Sequence, residues 1–293
     1  MAIEHVRKWR IGDVEVVRIV ELNNHEDPFS MLMPGYTPEQ AKAHAWLAPN
    51  FATPEGVMKI SFQAFALRSQ GKSMMIDTCI GADREREYGV FCNMQTSFLE
   101  DLEWAGYPAD DMDYVLCTHL HFDHVGWNTK LVDGKWVPTF KNARYLFGEG
   151  EYGHWRELQR TGGYHDVSHL LDSIDPVVEA GLVDFVSPTH RINDEISLFP
   201  SPGHTPGHVS VRIQSGGQEA VITGDMMHHP IQLAEPTREG AFDMDKAAGL
   251  KTRKDFYERV ADTDVTVIGS HFCDPTAGRI VRDGAAFRLR TED

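Results

Sequence analysis

The chain has 293 residues, 41% of them hydrophobic, which supplies one sizeable core and leads us to expect a single domain over residues 1–293. With 28 Lys and Arg against 44 Asp and Glu the formal net charge is −16, a surface that repels phosphate backbones and argues against nucleic acid as a partner. Glu4, Arg7, Lys8, Arg10, Asp13 and Glu15 break any signal-like apolar run, no later stretch approaches a membrane span, and Cys79, Cys92, Cys117 and Cys273 show no Cys-x-x-Cys spacing; the expected setting is the cytoplasm, without membrane partner or disulfide framework.

Lys8–Ile11 and Val14–Val20 read as two strands joined by a tight turn at Gly12-Asp13. From Asn23 to Asn50 the period is lost, although Phe29, Met31, Leu32, Met33, Tyr36 and Trp46 are apolar. Such a segment either tucks against the body or lies over a pocket, and methionine adapts to varied shapes, so Met31, Leu32 and Met33 are the expected substrate wall. The same apolar segment leaves a homodimer open. Ile60–Leu67 and Ser73–Ile76 predict a hairpin around Gln70-Gly71 that runs into Asp77-Thr78, where Asp77 is expected to accept backbone amides and fix the loop. Ser97 and Glu100 have capping-box spacing ahead of Phe98, Leu99, Leu102 and Ala105, which predicts a helix over 97–105 stopped by Gly106.

Asp113–Cys117 then reads as a buried strand leading into Thr118-His119-Leu120-His121-Phe122-Asp123-His124, with four potential metal ligands within six residues. Side chains alternate faces in an extended segment, so His119, His121 and Asp123 are expected on one side, with a turn after Asp123 bringing His124 round. Leu131-Val132 and Trp136-Val137 predict a hairpin around Gly134, Ala143–Phe147 a strand, and Glu149–Arg160 a helix with Tyr152, Trp155 and Leu158 on one face and His154 at its surface. His165 and His169 are spaced for one helical face within Tyr164–Leu182, but no acid or third histidine is matched to them, and a packed or solvated helix is the expected reading.

Ile196–Phe199 runs into Ser201-Pro202-Gly203-His204-Thr205-Pro206-Gly207-His208, a loop stiffened by two Pro-Gly turns. Spacing alone does not choose between His204 and His208. Val209–Ile213 and Ala220–Thr223 bracket Ser215-Gly216-Gly217 as a hairpin that ends in Gly224-Asp225, and Val265–Ile268 opens through Gly269-Ser270 onto His271. Four strand ends thus carry the same kind of residue.

This ordered set, a His-x-His-x-Asp-His run, a Pro-Gly-His, a Gly-Asp and a late histidine, resembles the metallo-β-lactamase superfamily along nearly the whole chain, the N-terminal strands and Asp77-Thr78 included. The resemblance implies an α/β (α+β, four-layer) fold, the αβ/βα sandwich of two mixed β-sheets flanked by helices. It also implies that His119, His121 and His204 hold one metal, that Asp123, His124 and His271 hold another, and that Asp225 bridges the two. His208 then falls outside the ligand set, as a hydrogen-bonding neighbour. Seven ligands are too many for one four-coordinate zinc and suit two divalent ions, zinc first, with manganese, iron and cobalt also accepted by these donors.

Such a pair of ions makes hydroxide available at neutral pH and polarises a carbonyl or phosphoryl oxygen, so the expected chemistry is hydrolysis, with Asp123 relaying the proton as the tetrahedral intermediate collapses. Within the superfamily, true β-lactamases usually lack the bridging aspartate, and flavodiiron proteins normally have an acid where His121 stands and a flavodoxin domain behind it. The 22 residues after His271 leave little room for the helical domain of glyoxalase II, and the charge disfavours the RNA-processing nucleases. What remains is the lactonase and organophosphate or ester hydrolase branch. Quorum-quenching lactonases of that branch carry a tyrosine three residues after the bridging aspartate, where this chain has His228. That departure tells against acyl-homoserine lactones and leaves other lactones, because an imidazole binds a developing oxyanion or protonates a leaving group. The expectation is a hydrolase in which a metal-bridging hydroxide attacks the carbonyl of a small lactone, with Asp123 and His228 as catalytic residues. Phosphotriester or aryl/carboxylester cleavage on the same site is the alternative, and a mononuclear iron persulfide dioxygenase, which shares the fold, is the rival from another class.

Overall fold

A computed structural model describes residues 6–27, 33, 35–87 and 89–291, so Met31 and Leu32 of the expected substrate wall lie outside the described residues. The chain forms two compact units, each drawn from two stretches: residues up to 21 with 62–187, and 22–61 with the chain from 188 on.

The first unit is built on a seven-stranded sheet. β1 (Val6–Ile11) and β2 (Val14–Asp27) form the expected antiparallel pair, turning between Ile11 and Val14. β3 (Met58–Ser69) and β4 (Lys72–Ile76) are joined through Gln70 and Gly71, both left-handed (φ 50 and 76), the pair of conformations that a two-residue hairpin turn requires. β5 (Tyr114–Leu116) follows; β6 (Thr129–Val132) and β7 (Lys135–Pro138) make a separate ribbon; β8 (Arg144–Gly148) and β9 (Val183–Val186) complete the order β1-β2-β3-β4-β5-β8-β9. From β4 to β9 the neighbours are parallel, and Met74, Met75, Ile76, Val115, Leu116, Tyr145 and Phe147 are fully buried, as strands covered on both faces are. A helix forms over Phe98–Trp104 as expected, but the Ser97 side chain makes no cap bond: its hydroxyl turns to Asp101 Oδ2 at 2.7 Å, so no capping box closes with Glu100. The helix Glu149–Thr161 buries Trp155 and, unexpectedly, Glu151. Tyr164–Leu182 is not one helix; His165 precedes the helical turns, and His169 begins a wide turn over Leu170–Ile174.

The second unit carries a six-stranded sheet in consecutive order: β10 (Ile196–Pro200), β11 (Val209–Ser215), β12 (Gln218–Ile222), β13 (Thr266–Ile268), β14 (Ala277–Asp283) and β15 (Ala286–Arg290). Only β12 and β13 are parallel, and the helix Lys246–Val260 lies in the crossover between them. Asp245 caps that helix by accepting from Ala248 N at 2.9 Å. A short helix, Pro38–Lys42, sits inside the segment that reads as aperiodic, closed by a capping box between Thr37 and Gln40. Met33 is buried at 1% exposure, and its carbonyl accepts from Tyr36 N at 3.0 Å. The four cysteines are free thiols. Among the described residues no helix is long and apolar enough to cross a membrane.

Candidate metal centre

In the first unit the ligand run begins where β5 ends. Asp77, one residue past β4, accepts from Thr118 N at 2.7 Å and from Thr118 Oγ1 at 3.0 Å, and its Oδ2 lies 2.9 Å from His124 Nδ1. It therefore does more than fix its own loop. Because the Thr118 hydroxyl proton goes to Asp77, that oxygen accepts from His119 Nδ1 at 3.1 Å, which leaves the His119 lone pair on Nε2, 2.9 Å from His121 Nδ1. The backbone turns earlier than strand alternation predicts: His121 is the N-cap of a short helix, Phe122–Val125, so Asp123 and His124 leave from its first turn. The cause is the neighbouring strand end. Thr78 N donates to His124 O, Gly126 N to Cys79 O and Trp127 N to Thr78 O, at 2.7–2.8 Å, and a Cβ on Gly126 would lie 1.9 Å from Ile80 O. Glu151 fixes the main chain between the two histidines, accepting from Leu120 N at 3.1 Å and from Trp155 Nε1 at 2.8 Å.

In the second unit the ligands come from separate strand ends. Ile222 pairs with Ile268 across the parallel strands β12 and β13, and Asp225 and His271 each follow three residues later, so both leave the sheet at the same height. Asp225 Oδ1 is 3.1 Å from His271 Nε2, and Oδ2 is 3.3 Å from His204 Nε2 and 3.1 Å from His228 Nε2. His204, Asp225 and His228 offer donor atoms within 4.8 Å of one another. Of the two loop histidines, His204 is the one that falls in a group of side chains able to hold a metal ion. Both nitrogens of His208 are committed: Nε2 accepts from Asp225 N at 2.8 Å, so Nδ1 carries the proton and donates to Ser201 Oγ at 2.8 Å. Ser201 passes its proton to Ser210, whose hydroxyl ends on Thr223 O, each step 2.8 Å. His208 thus sets the position of Asp225 from behind.

The donor chemistry fits a cation. His271 Nδ1 faces the carbonyl of Ser61 at 2.9 Å, and since a carbonyl only accepts, Nδ1 carries the proton. With the imidazole neutral, its Nε2 lone pair confronts the Asp225 carboxylate at 3.1 Å, an arrangement that repels unless a proton or a metal ion joins the two. His124 repeats it: Nδ1 is anchored on Asp77, and Nε2 lies 3.7 Å from Asp123 Oδ2.

The Metallo-beta-lactamase superfamily profile matches residues 63–271, the stretch holding all seven candidate ligands. The chain belongs to the metallo-β-lactamase superfamily. An N-acyl homoserine lactonase of Bacillus sp. is 22% identical over 175 residues, 56% of this chain and 62% of that protein. A second, N-acyl homoserine lactonase AiiA of Bacillus thuringiensis subsp. kurstaki, is 21% identical over 58% of this chain and 65% of its own length. The match therefore spans less than two thirds of these curated relatives. Among solved structures, hydrolase AbOPH aligns over 100% of both chains with a TM-score of 0.80 and 22% identity, and AidC, a dizinc quorum-quenching lactonase, covers 98% of this chain and 97% of its own with a TM-score of 0.78 and 21% identity. The mixed sheets with flanking helices are the metallo-β-lactamase fold.

Three buried acids that brace the segments carrying the candidate ligands have no counterpart in the sequence reading. Glu151 is one. Asp243 is another: its side chain is fully buried, receives Arg253 at 2.8 Å and lies 3.9 Å from His204 Nδ1. Its carboxylate fits only because Gly240 and Gly249 leave room, a Cβ on either coming within 2.8 Å of it. The third is Glu21, which accepts from Ile80 N, Trp127 Nε1 and Thr96 Oγ1 at 2.6–3.1 Å and whose burial raises its pKa. None had a sequence signal, because each is a single acid in an otherwise ordinary segment. His154 is half-buried on its helix, and His165 pairs with Glu87 at 2.5 Å. His169 is buried, its pKa pushed down to about 4 chiefly by burial, and neither it nor His165 belongs to a group of possible metal ligands among the described residues.

Proposed function

We propose that the protein is a two-metal hydrolase that opens the ring of a small lactone. The observation that carries this reading is the pair His124 and His271, each protonated on Nδ1 by its anchor and each turning an Nε2 lone pair toward a carboxylate, in a superfamily that includes N-acyl homoserine lactonases. His119, His121 and His204 would hold one ion, Asp123, His124 and His271 the other, and Asp225 both. Zinc is the ion this donor set suits first. Two bound divalent ions lower the pKa of water toward neutrality and polarise the substrate carbonyl.

The chain's own residues then bind, orient and move the proton. Asp123, with 13% of its side chain exposed, is the acid that solvent reaches, and it takes the proton of the attacking water and passes it to the departing ring oxygen. His228 stands where lactonases of this branch carry tyrosine. Its main-chain N–H is held by Gln232 Oε1 at 2.7 Å, and its ring lies 4.8 Å from that of His204 and 5.8 Å, stacked, from that of His271, which directs Nε2 to the Asp225 side of the site. From there it donates to the oxyanion or to the leaving oxygen. Proton release from a panel of γ- and δ-lactones, acyl-homoserine lactones, aryl esters and phosphotriesters, with Asp225→Ala as control, tests the reading. Lactone opening that is lost in the control sustains it. Turnover of esters or phosphotriesters alone moves the protein to the ester or phosphotriester branch; one iron per chain with oxygen uptake on a persulfide replaces hydrolysis altogether.

A further inference from the structure

On the Nδ1 side of His204 the second unit buries an ion pair. The Arg253 guanidinium takes Asp243 Oδ2 at 2.8 Å, while Asp243 Oδ1 lies 3.9 Å from His204 Nδ1, and both side chains are buried. The main chain sets this placement: Met244 N donates to His204 O at 3.1 Å and Asp245 N to Gly203 O at 2.9 Å. Gly203 permits the approach, since a Cβ there would come within 2.2 Å of Gly249 Cα. A buried ion pair stabilises a fold no better than apolar side chains of the same volume, so packing alone gives no reason for one here. Asp243 Oδ1 accepts no hydrogen bond among the described residues, and a buried acceptor left so costs free energy until a donor turns to it.

The His204 ring stands between two carboxylates, Nε2 at 3.3 Å from Asp225 Oδ2 and Nδ1 at 3.9 Å from Asp243 Oδ1. A neutral imidazole has one proton and one lone pair, so it cannot donate to both. Either a second ring proton or a cation on Nε2 ends the conflict, and the cation leaves the single proton for Asp243. We propose that Asp243 is a positioning residue that acts through His204: its carboxylate draws the ring proton to Nδ1 and keeps the Nε2 lone pair turned to an ion. Arg253, by holding Oδ2, keeps Oδ1 on the His204 side. At 3.9 Å the action is by charge and not by a hydrogen bond, and it is effective at that range because the surroundings are buried. The inference rests on the two-metal part of the reading above and not on the lactone.

The test loads the full chain with zinc and follows transfer of each ion to a competing chelator. In Asp243→Asn the amide has the same shape, but with its oxygen on Arg253 its NH2 faces the Nδ1–H of His204. The ion on His204 is expected to be held about 10- to 100-fold less tightly, and the other ion as in wild type. Arg253→Lys weakens the same buried brace and keeps the carboxylate, so it is expected to lower the unfolding temperature yet retain both ions. Loss of stability in both variants with metal retained in both, or metal lost equally from both, shows a structural brace only and overturns the proposal. Nitrogen–proton correlation NMR of zinc-loaded wild type gives a readout that needs no variant: the His204 proton is expected on Nδ1, and a proton on Nε2 overturns the proposal. Wild type that binds no zinc fells the two-metal reading and this inference with it. Wild type with two ions that Asp243→Asn holds as firmly fells this inference alone.

Discussion

His124 in the first unit and His271 in the second present the same nitrogen and are anchored by different chemistry. His124 donates to a carboxylate, Asp77, at 2.9 Å, and His271 donates to a main-chain carbonyl, that of Ser61, also at 2.9 Å. The carboxylate makes its imidazole a more basic ligand, and it depends on one side chain. The carbonyl is neutral and belongs to a reciprocal backbone pair, since Ser61 N donates back to His271 O at 3.0 Å. The contrast extends to the acids: Asp123 lies one residue from its histidine, whereas Asp225 meets three imidazoles that the chain delivers from the loops after β10, β12 and β13. One unit orients its ligands through a local turn, the other through strand register.

The sharpest break in that contrast is Asp225→Ala, which removes the carboxylate at the centre of the second set. Activity is expected to fall by about 10³-fold or more, and metal analysis after dialysis is expected to find less metal than in Asp123→Ala, because both ions lose a ligand. Asp123→Ala, by comparison, is expected to leave one ion in place. Equal metal content in both variants would show that Asp225 holds no more than Asp123 does. Next in size is Asp77→Asn. The amide can still accept from Thr118 N, but its NH2 faces the N–H of His124, and one of the two must turn away. Metal retention against a chelator is expected to weaken about 10- to 100-fold. Retention at the wild-type level would mean that His124 needs no anchor.

The contrast also decides what a reader of the sequence can see. Hairpins with left-handed turn residues, such as Gln70-Gly71, announce themselves, and so does a run like His119 to His124, because its four donors are adjacent. The late ligands were legible only as glycine-linked residues after short buried strands; that Ile222 pairs with Ile268, and so aligns Asp225 with His271, is a property of the sheet. The early turn at His121 was not legible either, since it is imposed by hydrogen bonds from residues 78 and 79 and by the close approach of Gly126 to Ile80. Ser97 misled for a similar reason: the spacing to Glu100 was right, and Asp101 captured the hydroxyl instead. β15 does alternate, Phe287 and Leu289 inward against Arg288 and Arg290 outward, but over only five residues, and the helix Lys246–Val260 shows no comparable apolar stripe.

Each unit also buries a histidine outside its candidate ligand set whose pKa burial takes to about 4, and these two, His169 and His229, should respond to acid alike. His229 donates from Nε2 to Phe51 O at 2.7 Å and accepts at Nδ1 from Ile231 N at 3.0 Å, so it fits its place only when neutral; burial, the largest cause, takes its pKa to about 4, the value reached by His169. A histidine with a folded pKa below its unfolded value of 6.5 takes up its proton first in the unfolded chain. Its contribution is whole above pH 6.5 and is lost as pH falls toward 4. Between pH 7 and pH 5 each should cost roughly 2 kcal/mol of unfolding free energy. In urea titrations at those two pH values, His229→Phe is expected to be less stable at pH 7 yet to lose about 2 kcal/mol less than wild type on acidification. An unchanged pH slope would mean that His229 is protonated in the folded chain; the ligand histidines, common to both proteins, cancel from the comparison.

The smallest effect is the most pointed. The Ser61 hydroxyl, fully buried, lies 3.0 Å from Asn23 Oδ1 and 3.2 Å from Cys273 Sγ, and neither contact involves the carbonyl that holds His271. Ser61→Ala is therefore expected to cost about 0.5–1.5 kcal/mol of stability, the worth of one buried hydrogen bond. Chelator resistance should stay within about twofold of wild type, because the anchor is main chain and every residue has one. Set beside Asp77→Asn, the two substitutions touch residues that hold equivalent histidines at the same distance, and only one removes what does the holding. If Ser61→Ala released metal as readily as Asp77→Asn, the carbonyl would not be what orients His271, and register alone would not account for the second ligand set.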